Sequence, residues 1–247
     1  MLVVEICTDS IAGVRAAMDA GAQRIELCAA LMEGGITPSI GLVRRAIATA
    51  NGALKIHVII RPRGGDFLYD DDERQAMADD IDAVAAAGAD GIVVGLLSED
   101  GAIDEPSMAA LITRARPLSV TCHRAFDVTK DPMASLEALI RLGVDRLLTS
   151  GQEPTVLEGA PLIRRLIGAA AGRIVVMPGG DITVRNAARI LAETGASELH
   201  FAAFEMQSSG MTWRREGIPM GGALRPPEFD RPVTTARAIG AILSSLG

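Results

Sequence analysis

Four times along the chain the same short junction recurs: DAGAQRIEL (Asp19–Leu27), AAGADGIVV (Ala86–Val94), RLGVDRLLT (Arg141–Thr149) and ETGASELHF (Glu193–Phe201). Each reads as the end of a helix, a glycine just past it, and an apolar strand two or three residues later. Glycine suits that place because the left-handed backbone that closes a helix costs it no Cβ clash. Between the junctions, Leu2–Ile6, Lys55–Ile60, Leu118–His123 and Arg173–Met177 read as strands. The junctions therefore introduce the second, fourth, sixth and eighth strands. Helical spacing of apolar residues marks Ser10–Ala20, Ser39–Ala50, Asp72–Ala87, Glu105–Ala115, Asp131–Leu142, Thr155–Ala170, Thr183–Glu193 and Pro232–Leu246. Pro38-Ser39, Asp131-Pro132 and Thr183 supply helix start signals.

Alternating strand and helix units of this length predict a parallel sheet with right-handed crossovers. The repeat at even strands favours a closed (β/α)8 TIM barrel over an open doubly wound sheet, because alternate barrel strands feed alternate core layers. The 247 residues fit one barrel domain over 1–247. Such a chain buries enough surface to need no metal or disulfide for its fold. Hydrophobic content of 49% with 3% aromatic implies an aliphatic core, as strands buried on both faces require. Two segments break the rhythm: RPRGGDFLYDDDE (Arg61–Glu73), and the long loop 202–231 after the eighth strand. Loops of such length inside a compact domain usually serve as lids or contact surfaces.

The net charge of −7 argues against a nucleic-acid partner. No apolar run reaches membrane-spanning length, and Met1 leads into a strand with no basic leader, so the expectation is a cytoplasmic protein without a membrane partner. Cys7, Cys28 and Cys122 follow no zinc or CxxC spacing and read as free thiols.

Strand side chains alternate, so parity assigns faces. Leu2, Val4 and Ile6 oppose Val3, Glu5 and Cys7; Ile25 and Leu27 oppose Arg24, Glu26 and Cys28; Ile56, Val58 and Ile60 oppose His57, Ile59 and Arg61. Ser119, Thr121 and His123 fall together, and Leu199 and Phe201 oppose Glu198 and His200. The uniformly apolar set must face the helices, which leaves a polar lumen. Burying Glu5, Glu26, His57, Arg61, His123 and His200 there is costly unless they pair or bind something. Active sites of this fold sit at the strands' C-terminal ends. Glu5, Glu26, His57 and His123 are the candidate catalytic groups: paired carboxylates raise one another's pKa, and a histidine serves as base or ligand. Arg61 and Arg63 flank a proline at a strand end, an arrangement suited to an anion. MPGGDIT (Met177–Thr183) places Gly179 and Gly180 where many barrels hold a phosphate, although a tight turn explains the glycines equally well.

VEIC, RIELCAALMEGGITPS, HVIIRPRGGDF, VTCHRAFD, RLLTSGQ and MPGG, in that order, closely resemble the CutC family. The resemblance runs from Leu2 to about the end of the eighth strand. It implies a (β/α)8 barrel, a cytoplasmic place and a role in copper homeostasis. Residue by residue it points to Glu5, Glu26, Cys28, His57, Arg61, Arg63, Asp66, His123, Arg124, Asp127 and Ser150. There are departures: Cys122 replaces an aromatic, GGDI a more glycine-rich turn, and HFAA the small hydroxyl residues usual after the eighth strand.

Three functions stay open. The first is copper handling: Cu(I) selects soft thiolates, and Cys7 and Cys28 each lie two residues beyond a lumen-facing glutamate on adjacent strands. The second is an isomerase, aldolase or lyase acting on a small anionic or phosphorylated metabolite. There Arg61, Arg63, Asp66, Arg124, Asp127, Ser150, Gly179, Gly180 and His200 would bind the ligand. The third is a scaffold or homo-oligomer formed through Phe204, Met206, Met211, Trp213 and Met220 of the long loop, with Trp213 partly buried.

Overall fold

In the computed structural model, which describes residues 2–215, 217–218 and 230–247, the four junction glycines adopt the left-handed backbone expected of them. Their φ angles are 75° at Gly21, 91° at Gly88, 71° at Gly143 and 72° at Gly195. Each turns the chain from a helix into the next strand within three residues, so every even strand enters the sheet in the same way.

Eight parallel strands form the sheet: β1 (Val3–Thr8), β2 (Arg24–Leu27), β3 (Lys55–Ile59), β4 (Gly91–Val94), β5 (Ser119–Cys122), β6 (Arg146–Thr149), β7 (Val175–Pro178) and β8 (Glu198–Phe201). Neighbours in sequence are neighbours in space from β1 to β7, and β8 pairs with β1. A parallel bridge between Gly179 and His200 brings the end of β7 beside β8, which nearly closes the barrel. The register sets Glu5 opposite Arg24 and His200, and Glu26 opposite Cys7 and His57.

Around the sheet run α1 (Ile11–Asp19), α2 (Ile40–Ala50), α3 (Asp71–Ala87), α4 (Glu105–Ala115), α5 (Pro132–Arg141), α6 (Ala160–Ala170), α7 (Ala187–Thr194) and α8 (Ala236–Ser244). Side chains start them: Ser10 accepts from the Gly13 amide, Ser39 from that of Leu42, and Asp131 from those of Met133 and Ala134. Asp70 and Glu73 form a reciprocal capping box at α3. Such caps satisfy amides that have no partner within the helix. Three starts differ by four or five residues from the sequence reading, those of α6, α7 and α8. α6 begins at Ala160, because Thr155 is tied to Glu158 in a preceding turn. α7 begins at Ala187, because Asn186 Oδ1 accepts from the Thr183 amide and Thr183 Oγ1 from the Arg185 amide in a turn before the helix.

The helix-facing strand residues Val4, Ile6, Ile25, Leu27, Ile56, Val58, Ile92 and Leu199 are buried in one aliphatic core with the helices' inner faces. That core fixes the register, since a one-residue slip would turn the charged set outward. The segment after β8 holds structure of its own: β9 (Phe204–Ser208) pairs antiparallel with β10 (Asp230–Thr234). Pro232–Thr234 therefore belong to a strand rather than to the last helix. Phe204, Met206, Met211 and Trp213 are exposed, and Met220 lies outside the described residues. The expected partial burial of Trp213 is not found: its exposure is 71%, because residues 210–215 all face solvent and none covers the indole.

Candidate metal centre and barrel mouth

The residue three places after each junction glycine points into the lumen: Arg24, Gly91, Arg146 and Glu198. Three of these four are charged and pair among themselves. Arg24 donates to Glu198 and, from Nε, to Glu5; Arg146 Nε donates to Glu198 at 2.6 Å. The fourth, a glycine, leaves room for the His57 ring, which would lie 2.6 Å from a Cβ at Gly91. This lower network is closed on itself and positions Glu5. Burial opposes ionisation of Glu5, yet the His200 hydrogen bond and the Arg24 charge hold it well below the usual carboxylate range. His57 Nδ1 lies 3.9 Å from Glu5, too far for a hydrogen bond, and burial pushes its pKa down to about 4. His57 is thus neutral.

One step towards the mouth, Cys7, Glu26 and His200 meet, with Cys28 beside the first two. Cys7 and Cys28 place their sulfurs 3.6 Å apart. The Cys28 thiol lies 3.3 Å from Glu26 Oε2, and His200 Nε2 is 3.8 Å from the same oxygen. Cys7, Glu26 and His200 offer donor atoms all within 4.8 Å of one another. His200 Nδ1 is bonded to Glu5 at 2.8 Å, which leaves Nε2 facing the other donors. A carboxylate behind the far nitrogen of a histidine is the usual support of a metal ligand. The cluster shares protons unequally. The Cys28 hydrogen bond brings the Cys7 thiol down to about 6 despite burial, with His200 assisting. Cys28 is pushed well up by that same bond and by burial. Burial and the Cys7 charge push Glu26 up to about 8. His200 is held well above its usual range: burial opposes this, but hydrogen bonds to Cys7 and Glu5 outweigh it. The arrangement therefore holds one thiolate beside one imidazolium, with a protonated carboxyl alongside.

A cavity of about 130 Å³ opens above the cluster, lined by Cys7, Glu26, Gly34, Ile59, Arg61, Phe67, His123, Arg124, Leu148 and His200. Glu5 and His57 lie below it rather than on its wall.

The CutC family model matches residues 2–205. The chain belongs to the CutC family. It is 48% identical over 246 residues to the human copper homeostasis protein cutC homolog, covering 98% of this chain and 89% of that one. A CutC family protein of Mesorhizobium japonicum is 45% identical, with 98% and 93% covered. A crystal structure of a protein named for copper homeostasis, CutC from Streptococcus agalactiae, superposes with a TM-score of 0.78 at 32% identity, covering 81% of this chain and 98% of that one. Phosphoribosylanthranilate isomerase from Pyrococcus furiosus, with a TM-score of 0.58 at 14% identity and covering 100% of this chain and 98% of that one, shares the barrel fold.

In this CutC-family barrel the remaining candidate residues separate into four groups. Arg61 is buried, but its terminal nitrogens donate to the carbonyls of Glu33 and Gly35 and of Gly65. It clamps the two loops that cover Cys28 and the mouth. Arg63 and Asp66 lie outside the cavity: Arg63 pairs with Asp66 at 3.0 Å and with Glu73, and its guanidinium lies over Tyr69. The proline between Arg61 and Arg63 sends the second arginine away from the lumen. Asp127 organises the end of β6, accepting from the Ser150 amide and hydroxyl, from Thr149 and from Arg124 Nε. Ser150 in turn accepts from Arg124 Nη2 at 2.8 Å.

The Gly179 amide donates to the Thr149 carbonyl at 3.0 Å as part of the sheet, so it is not a free donor for a phosphate. Its lack of a side chain has another use, because a Cβ there would lie 2.5 Å from Leu148 and 3.2 Å from His200. Gly180, at φ 119°, turns the chain beside Ser150 and Arg124. Sequence reasoning did not place Phe67, Leu148, Arg146 or Gly91 in the site. Arg146 and Gly91 had a signal, since both occupy the junction position of Arg24. Phe67 and Leu148 had none, being ordinary apolar residues of a loop and a strand.

Proposed function

We propose that this CutC-family protein handles copper by holding one Cu(I) ion at the barrel mouth, between the thiolates of Cys7 and Cys28 and the Nε2 of His200. The observation that carries this reading is the 3.6 Å separation of the two sulfurs beside a histidine that Glu5 orients from behind. Two soft sulfurs and one imidazole suit Cu(I) better than a hard ion. Glu26, held protonated near neutral pH, is a poor fourth ligand, and that argues against tetrahedral zinc. The ion is cargo here, because a chain of 247 residues buries enough surface to hold its fold without a metal.

Binding would release the Cys28 thiol proton and the His200 proton, so affinity rises with pH. Three free thiols suit a reducing compartment, and we place the protein in the cytoplasm on that ground. No described helix is long and apolar enough to cross a membrane. X-ray absorption at the copper edge of anaerobically loaded protein tests the ligand set. Two Cu–S contacts and one Cu–N contact are expected; a shell of oxygen and nitrogen alone would overturn the reading.

A further inference from the structure

The mouth cavity is lined by a second polar set besides Cys7, Glu26 and His200, namely Arg61, His123 and Arg124, together with the apolar Ile59, Phe67 and Leu148. The Ala125 amide donates to His123 Nδ1 at 3.2 Å. A ring nitrogen that accepts carries no hydrogen, so the proton of the neutral ring is on Nε2. Burial, with the Arg61 charge assisting, brings the His123 pKa down to about 3, so the ring is neutral. That Nε2–H has no hydrogen-bond partner among the described residues, and neither does Arg61 Nε. Leaving a buried donor unsatisfied is costly, and natural cores rarely do it twice in one place. Both donors meet the same ring: Phe67 is centred 5.1 Å from His123 and 4.9 Å from Arg61 Cζ.

Charge and size restrict what such a set accepts. Arg124 is neutralised by Asp127 at 2.7 Å, and His123 is neutral. Arg61 meets carbonyls through its terminal nitrogens and has no carboxylate within ion-pair distance among the described residues. One cation is therefore left over, which matches a monoanion and not a phosphate dianion. The cavity volume of about 130 Å³ equals roughly four liquid waters, or an organic molecule of about six heavy atoms.

We infer that the mouth has a second binding site, distinct from the copper ligands, for a small organic monocarboxylate. Its oxygens take the N–H groups of His123 Nε2 and Arg61 Nε, and its short chain lies against Ile59, Leu148 and a Phe67 ring that turns aside. This site does not depend on the copper reading, and its test is run on protein stripped with a Cu(I) chelator.

Titration calorimetry with pyruvate and isobutyrate, each of six heavy atoms, is compared with isobutyramide and inorganic phosphate. Saturable binding of the carboxylates is expected, with the amide and phosphate at least about tenfold weaker, the loss typical of a charged hydrogen bond. His123→Leu should weaken carboxylate binding by about tenfold or more. Leu148→Phe, which fills the cavity from its apolar side and touches neither donor, should also abolish it, and it decides the matter if His123→Leu does not fold. The inference is overturned if neither carboxylate binds by about 10 mM, a free energy below what a few atoms and one ion pair supply. It is equally overturned if the amide equals the acid or if Leu148→Phe binds as the parent does.

Discussion

Glu5 and His200, 195 residues apart in sequence, are joined by a 2.8 Å hydrogen bond across adjacent strands β1 and β8. The bond occupies Nδ1 and leaves Nε2 facing the thiols. Arg24 holds the other carboxylate oxygen of Glu5, so the orientation of the imidazole is set from two layers down. Glu5→Gln keeps the shape and weakens that support. Cu(I) affinity should fall by about 10- to 100-fold, the usual effect of removing such a supporting carboxylate. Competition with a chelator of known affinity measures it.

His57 sets an acid limit on the fold. Its pKa is about 4 in the folded protein, against 6.5 when free. Between these values the unfolded chain takes a proton that the folded chain refuses, so stability falls as pH drops from 6.5 to about 4 and the loss then stops. The full effect is on the order of 3 kcal/mol at about 1.4 kcal/mol per unit. Urea unfolding of the parent and of His57→Gln across that range should show a smaller acid loss in the variant.

The glycine beneath that ring has no backbone reason to be glycine, since Gly91 does not use a left-handed conformation. Its reason is space: an added methyl would meet the imidazole at 2.6 to 2.8 Å. Gly91→Ala should cost about 1–3 kcal/mol as overpacking does. The cost should shrink when His57 is also cut to alanine, because residues in contact do not add independently. A double-mutant cycle in urea reads the difference.

Arg61 acts first as a clamp. Its terminal nitrogens tie Glu33, Gly35 and Gly65, so Arg61→Ala should loosen two loops while the barrel persists. Hydrogen exchange should quicken at Gly34–Gly35 and Gly64–Gly65 by about an order of magnitude or more, with strand amides unchanged.

Much of this was legible in the sequence. The four junctions announced the even strands, and strand parity brought Glu5, Glu26, Cys7, Cys28, His57, His123 and His200 to one lumen. Parity stops where strands stop. Arg63 and Asp66 lie in a loop, where nothing periodic fixes direction, and they turn outward to Glu73 and Tyr69. The split of the lumen into a closed ion network below and a thiol cluster above depends on side-chain length. Arg24 and Arg146 reach Glu198, and alternation alone does not show that reach. The sequence leaves a phosphate site and a tight turn equally open at Gly179, and neither reading shows that a glycine there also lets a histidine pass.

The central claim is that Cys7 and Cys28 together hold one Cu(I) ion. Anaerobic titration against a competing Cu(I) chelator tests it most directly, comparing the parent with the Cys7→Ser, Cys28→Ser double variant. The parent should withdraw one equivalent from the chelator and the double variant none. A double variant that competes as well as the parent would contradict the account.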